Sequence, residues 1–309
     1  MKFDKHRKMS ELMEANYHLL GIVWRLGING SFSDRSVEDI CKRYELDPDT
    51  FLLLCSVHSG KKVTQEALRR CSIPDLLLYI RNSHEFYLHS ALVSIGPSLD
   101  ELLAPAAPER RKAIRAFFED YRAELVKHFA YEEDVLSPYV QGLLDGNAPG
   151  GFSIAEFEKN HTDVEGSLSD LKRIIMQSLP PECDGGKRIE VLSTIFHLQE
   201  DLGHHTYIED HILVPLVEML EGKRPDIRLS SDSEGAPEET EELSEREKEV
   251  LVLVAKGLLN KEIADRLYIS VNTVITHRKY ITRKTGIKTA PGLTVYAILE
   301  GLIDIDSLE

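Results

Sequence analysis

The feature that most constrains this chain is a short pattern that occurs twice. His128-Phe-Ala-Tyr-Glu132-Glu-Asp-Val-Leu136-Ser-Pro138-Tyr-Val and His205-Thr-Tyr-Ile-Glu209-Asp-His-Ile-Leu213-Val-Pro215-Leu-Val both read H-x3-E-[ED]-x-[VI]-L-x-P-x-V. On an α-helix, residues four apart stack on one face, about 6 Å apart along the axis, so each copy aims an imidazole and a carboxylate at a common point. A fold that buries both points must give each copy its own helix and set the helices side by side.

The rest of the chain supplies the partners. Breaks at Pro105-Ala-Ala-Pro108, Gly146 to Gly151 and Pro180 to Gly186 divide Ser72 to Gly222 into four long segments, and the copies fall on the second and fourth. Leu76, Ile80, His84, Leu88 and Ala91 mark the first segment, and Phe157, His161, Val164, Leu168, Leu171 and Ile175 the third, at helical spacings of three and four. Long helices joined by short loops predict an up-down four-helix bundle over residues 70–222. Residues 1–65 read as a small helical module: an amphipathic stretch Met13 to Trp24, a Gly-Ile-Asn-Gly turn, a capped start at Ser36-x-x-Asp39, and a helix at DPDTFLLLC. Strand signals are weak throughout, so the predicted class is all-α.

His84 and His161 each lie on the apolar stripe of their segment. With His128, Glu132, His205 and Glu209 they bring four imidazoles and two carboxylates into the bundle core, one histidine from each helix. Neutral imidazoles with shared carboxylates suit iron or another divalent first-row metal, and this ligand number suits two ions. The Leu and Pro after each Glu would shield the site from water, and an open coordination position would admit a small diatomic or oxidant ligand such as oxygen, nitric oxide or peroxide. His204 adjoins His205, but only His205 has a Glu four residues on. Glu133, Asp210, His89, His197 and His211 read as solvated or supporting positions, and Glu165 as a reserve carboxylate.

The segment from Leu229 to Glu242, LSSDSEGAPEETEE, is acidic and almost without apolar residues, which predicts a flexible linker over 223–242. Residues 243–309 follow with a different plan. Leu243-Ser-Glu-Arg-Glu247 is a capping-box start, Gly257 ends the first helix, Asn260 or its neighbour opens KEIADRL, and Ser270 caps VNTVITHRKYITRKTG after a tight turn. Two helices joined this way form a helix-turn-helix. On the second of them Val274, His277 and Ile281 point inward. Asn272, Ile275, Thr276, Lys279 and Arg283 lie opposite, placed for the major groove of double-stranded DNA, with Lys261, Thr273 and Lys284 placed for phosphates.

Charge distribution agrees with that division. The net charge is −15, yet residues 243–309 hold ten Lys/Arg against nine Asp/Glu, so the acidity lies ahead of them. Between Arg266 and Lys288 there are six basic residues and no acidic one. The four cysteines form no Cys-x-x-Cys pair, no stretch is apolar enough to span a membrane, and Met1 to Met13 has no signal-peptide core. These readings predict a cytoplasmic protein.

Two resemblances sharpen the expectations. His84, the pair His128 and Glu132, His161, and the pair His205 and Glu209 match the hemerythrin-like family over about Ser72 to Gly222, in particular its di-iron branch that includes the repair-of-iron-centres proteins. That resemblance implies a non-haem di-iron centre responding to oxygen, nitric oxide or oxidants. LGINGSFSDRSVEDICKRYELDPDTFL resembles the small domain preceding the bundle in those proteins, but Ser31-Phe32 replace that family's Cys-Cys pair, which puts thiol-based iron delivery in doubt. LSEREKEVL, AKGLLNKEIADRL, NTVITHRKYI and RKTGIK resemble the LuxR/FixJ-type helix-turn-helix family, implying a four-helix DNA-binding domain that forms a homodimer through its last helix, about Leu293 to Leu302. Thr285 departs from the Leu usual there and is expected to loosen the end of the recognition helix. The combined expectation is a non-enzymatic DNA-binding transcriptional regulator whose bundle senses. The competing ones are a di-iron redox or repair enzyme with an autoregulatory DNA-binding domain, and a metal-free dimerisation scaffold.

Overall fold

The computed structural model describes residues 3–32, 34–147, 152–160, 164–222 and 242–304. His161 and linker residues 223–241 lie outside the described residues. The described residues are helical with no strand, apart from one isolated bridge between Lys8 and Ser36. They form the all-α arrangement expected of the sequence: an N-terminal module, four helical arms, and a C-terminal helix-turn-helix domain.

By backbone contacts the chain divides into two compact units. The first joins Met1–Ser90 to Lys127–Thr162 and Glu200–Ser231. Its module contains α1 (Met9–Ala15), α2 (Leu20–Arg25), α3 (Val37–Arg43), α4 (Pro48–Val57) and α5 (Gln65–Arg69). Ser36 caps α3 by accepting the Asp39 N–H, and Asp47 caps α4 by accepting the Thr50 N–H at 2.7 Å. The stretch Met13 to Trp24 is not one helix. Asn16 leaves the helical region at φ −154° and caps a 3-10 turn, Tyr17–Leu19, through its own side chain, so α1 and α2 are separate.

The first arm is α6 (Ile73–Phe86) and, after a π-helical turn at Tyr87–Ala91, α7 (Leu92–Leu103). The second is α8 (Pro108–Tyr131), a π-turn at Glu132–Leu136, and α9 (Ser137–Leu144). The third contains α10 (Ile154–Asn160) and α11 (Glu165–Gln177), and residues 161–163 between them lie outside the described residues. The fourth is α12 (Gly185–Ile208), a π-turn at Glu209–Leu213, and α13 (Val214–Leu220).

In the first unit the module is not walled off from the bundle. Leu12, Ile22 and Phe51 belong to one apolar cluster with Leu76, Leu136, Val140, Ile212 and Val217, each buried side chain contributing about 1.5–3 kcal/mol. A polar pin crosses this core. Arg25, 2% exposed, forms a two-pronged ion pair with Asp201 on α12, one prong at 2.9 Å, and donates to the Tyr79 hydroxyl at 3.1 Å. Burial pushes the Asp201 carboxyl up, but the guanidinium outweighs it and holds the carboxyl below its usual range.

His58 sits beside this pin, its Nε2 2.7 Å from the Tyr79 hydroxyl and its ring 4.4 Å from that of His204. Burial, reinforced by His204, pulls its pKa from 6.5 down to about 3. The unfolded chain therefore takes up a proton near pH 6.5 that the folded chain refuses, and stability falls as pH drops from about 6.5 toward about 3. His58→Asn should flatten this acid slope by up to about 1.4 kcal/mol per pH unit in chemical-denaturation titrations. An unchanged slope would mean that His58 is not held neutral.

The second unit joins Ala91–Val126 and Asp163–Gln199 to Asp232–Glu309. Its C-terminal part contains α14 (Glu245–Ala255), α15 (Asn260–Leu267), α16 (Val271–Thr285) and α17 (Ala290–Leu299). Ser244 and Glu247 form the capping box, and Ser270 caps α16. The cap of α15 is Leu259, whose N–H donates to Glu262 at 2.7 Å, so the helix opens at Asn260, as expected of Asn260 or its neighbour. Asn260 is used sideways, accepting from Arg278 at 2.9 Å and fixing α15 to α16. Thr285 does not loosen α16: it is 3% exposed, its hydroxyl donates to Ile281 C=O at 2.8 Å and accepts the Ile287 N–H at 3.2 Å, and Gly286 then ends the helix at φ 68°.

Candidate metal centre and nucleic-acid interface

In the first unit, His84 on α6, His128 on α8 and His205 on α12 each stand in the last turn before a π-turn, and Glu132 and Glu209 are the first residues of two of those turns. A π-turn adds one residue to the helical circuit, and such turns gather at functional sites. It also accommodates the recurring proline. Pro138 and Pro215 each follow the π-turn by two residues, so the carbonyl four residues back, which a proline ring would strike in a regular helix, belongs to the wider turn.

The side chains converge. Glu132 links two helices, with Oε2 3.0 Å from His84 Nε2 and Oε1 2.9 Å from His128 Nε2. His205 Nε2 lies 3.2 Å from Glu209 Oε1 and 3.2 Å from His84 Nε2. One ligand atom from each of His84, Glu132, His205 and Glu209 falls within 4.8 Å of the others, all four residues are buried, and His128 joins them through Glu132. His204, by contrast, is turned toward His58.

Two carboxylates in a dry pocket with imidazole nitrogens this close are unfavourable unless a cation or protons neutralise them. Burial would depress the His84 pKa, but Glu132 and Glu133 outweigh it and raise it to about 9, so a cation at this point displaces a proton. His84 Nδ1 lies 2.8 Å from Glu133 Oε1, which leaves Nε2 aimed inward, the support that metal-binding histidines ordinarily have. Phe129 stacks on His84 at 4.3 Å, and Tyr87 and Phe129 meet His205 edge-on at 5.5 and 5.8 Å, giving the pocket an aromatic wall that sequence reading did not identify. The donor set of nitrogen and carboxylate oxygen fits iron or another divalent first-row ion.

On α16, Asn272, Ile275, Thr276, Lys279 and Arg283 are exposed, Thr273 is half-buried at the helix start, and Val274 and Ile281 are fully buried. His277, expected inside, is half-buried, and Thr285 takes the third inward place. Lys261 is exposed on α15. Lys284 is turned inward: its Nζ donates to Glu247 Oε2 at 2.9 Å and to Glu242 C=O at 3.1 Å, tying α16 to the start of α14. Burial raises the Glu247 carboxyl, but the Ser244 N–H and Lys284 prevail and lower it.

Comparison with known proteins places names on both regions. Residues 88–217 match the hemerythrin HHE cation binding domain, a span that begins just after His84, and residues 241–297 match the bacterial regulatory proteins of the luxR family. Among curated proteins, the chain is 48% identical over 62 residues to the oxygen regulatory protein NreC of Staphylococcus aureus strains JH9 and JH1. That stretch is 20% of this chain, and it spans 29% of those relatives. No solved structure matches the chain. Dry paired carboxylates and imidazoles in one region, and a capped helix-turn-helix with an exposed polar face in the other, thus belong to a chain that carries a hemerythrin HHE cation-binding domain and a LuxR-family regulatory domain in a single polypeptide.

Proposed function

We propose that this chain is a DNA-binding transcriptional regulator whose hemerythrin-like bundle holds a non-haem di-iron centre and senses oxygen, nitric oxide or oxidants. The carrying observation is Glu132, a buried carboxylate with one oxygen on His84 and the other on His128, beside the second pair His205 and Glu209. These five residues would hold the metal, with His161 as a sixth ligand from its place in the sequence. Iron bound there supplies reversible redox and small-ligand chemistry. The chain's own residues orient and insulate: Glu133 fixes the His84 ring, and Tyr87 and Phe129 keep the pocket dry.

In the reader, Asn272, Ile275, Thr276, Lys279 and Arg283 face base edges in the major groove, and Lys261 and Thr273 meet phosphates. Lys284 serves from inside, by holding the recognition helix to α14. The name oxygen regulatory protein belongs to relatives that match only the reader, so the sensory assignment rests on the bundle. A change at Glu132 or Glu209 would alter the packing of the second and fourth arms, and linkage requires that DNA in turn affect the centre.

The test uses the full chain purified without oxygen. We expect bound iron, and affinity for genomic DNA fragments that differs by about 5- to 150-fold between reduced, oxidised and nitric-oxide-treated forms. Equal affinity in all three would reject sensing, and iron-free protein would reject the centre.

A further inference from the structure

Tyr79 is fully buried, and its hydroxyl is bonded on two sides. Arg25 Nη1 donates to the oxygen at 3.1 Å, and His58 Nε2 lies 2.7 Å from it. A phenol carries one hydrogen. With Arg25 on a lone pair of the oxygen, that hydrogen points at His58 Nε2, the open lone pair of an imidazole that burial keeps neutral. A buried hydroxyl is satisfied by one partner. This one has a cation on one side and a base on the other, in a place that water does not reach.

The pair also lies close to the metal pocket within the first unit. The Arg25 guanidinium carbon sits 5.6 Å over the Tyr79 ring and 5.4 Å over the Tyr87 ring, and Tyr87 meets His205 edge-on at 5.5 Å. Asp201 binds the guanidinium with two prongs and balances its charge, so Arg25 adds little net opposition to a ring that loses an electron. The rings run on to the surface: Tyr87 lies 5.7 Å from Phe86, and Phe86 lies 5.8 Å from Trp24, the chain's single tryptophan, which is 50% exposed.

We propose that Tyr79 is a redox-active tyrosine, with His58 as its proton acceptor, and that it gives one electron to oxidants of the peroxide class reacting at the pocket. As the electron leaves, the phenolic O–H bond breaks and the proton forms an N–H bond at His58 Nε2, leaving a neutral phenoxyl and an imidazolium. Reducing one peroxide to water takes two electrons and two protons; Tyr79 supplies one electron, the bound metal the other, and solvent the protons. A one-electron donor such as ascorbate then restores the phenol, with the proton returning from His58. Electron loss without a base would leave a phenol radical cation, a strong acid, and a base placed in advance speeds such a proton transfer by about 10²- to 10⁴-fold. The arrival of peroxide at the pocket rests on the metal centre proposed above; the tyrosine–histidine pair does not.

The experiment uses the full chain, as purified and after chelation of its metal, with photogenerated tris(bipyridyl)ruthenium(III) as the oxidant. In both forms a flash should produce the absorption and spin-resonance signals of a tyrosyl radical that outlives those of the exposed tyrosines. Tyr79→Phe, which removes the hydroxyl alone, should abolish the long-lived signal. His58→Gln, which can accept the phenolic hydrogen bond but not the proton, should slow its formation by about 100-fold or more. Circular dichroism establishes that each variant is folded; if Tyr79→Phe is not, His58→Gln carries the decision. A wild-type chain without the long-lived signal, a folded Tyr79→Phe that keeps it, or a folded His58→Gln that forms it at the wild-type rate would overturn the pair. Hydrogen peroxide added to the metal-bearing chain should raise the same signal, and its failure to do so would overturn the role of Tyr79 toward the pocket. If ruthenium elicits the signal as stated in a chain that binds no metal, the pair stands and the metal centre falls.

Discussion

Replacing Glu132 by alanine is expected to strip metal from the bundle. Wild-type chain purified anaerobically should carry close to two ions per chain by elemental analysis, about the number that four imidazoles and two bridging carboxylates can hold. Glu132 is 1% exposed and its carboxylate reaches both His84 and His128, so its loss removes a ligand from two positions at once. An affinity loss of at least about 100-fold follows, because the removal of a merely supporting partner already costs 10- to 100-fold. Glu133→Gln should fall in that lesser range, since it touches only His84 Nδ1. Metal content unchanged in Glu132→Ala would sink this ligand set while leaving the family assignment intact.

The second large effect lies outside the ligand set. Arg25→Met should destabilise the first unit by about 3 kcal/mol, because it leaves Asp201 without its counter-ion and removes one of the Tyr79 hydroxyl's hydrogen-bond partners. The figure sits at the low end for a broken buried pair because the Asp201 side chain keeps 21% exposure and some water. Equilibrium denaturation measures it, and Arg25→Met combined with Asp201→Leu should recover most of the loss. A single variant as stable as wild type would show that water already satisfies the pair. Asp201 stands four residues before His205 on α12, so the single variant should also retain less metal.

Local signals were legible in the sequence wherever neighbours decide the outcome. The caps at Ser36, Ser244 and Ser270 depend on residues three positions away, and the structure forms each of them. Burial was legible too: the stripes carrying His84, Glu132, His205 and Glu209 do meet. What escaped was every pairing set by packing between distant segments. Arg25 and Asp201 are 176 positions apart, and nothing local marks either as buried. Asp170, among Ser169 and Lys172, reads as a solvated acid until α17 lies on it. Lys284 counted toward a phosphate-binding surface because charge patterning cannot foresee Glu247 beneath it. Asn16 interrupts an apolar periodicity that continues past it, so the pattern hid the break.

The π-turns give the arms a property that helices rarely have: their length is not negotiable. Deleting one residue within Glu132–Leu136 would let the backbone relax into an ordinary helix, since the π-turn accommodates one residue beyond the regular circuit. Leu136, Tyr139 and Val140 would keep nearly their present facing, but the Pro138 ring would meet a carbonyl it now avoids. The interval from histidine to proline in each copy is therefore a fixed dimension of the pocket, and drift in this lineage should run through substitutions and loop lengths, never through gaps between residues 128 and 140 or between 205 and 217.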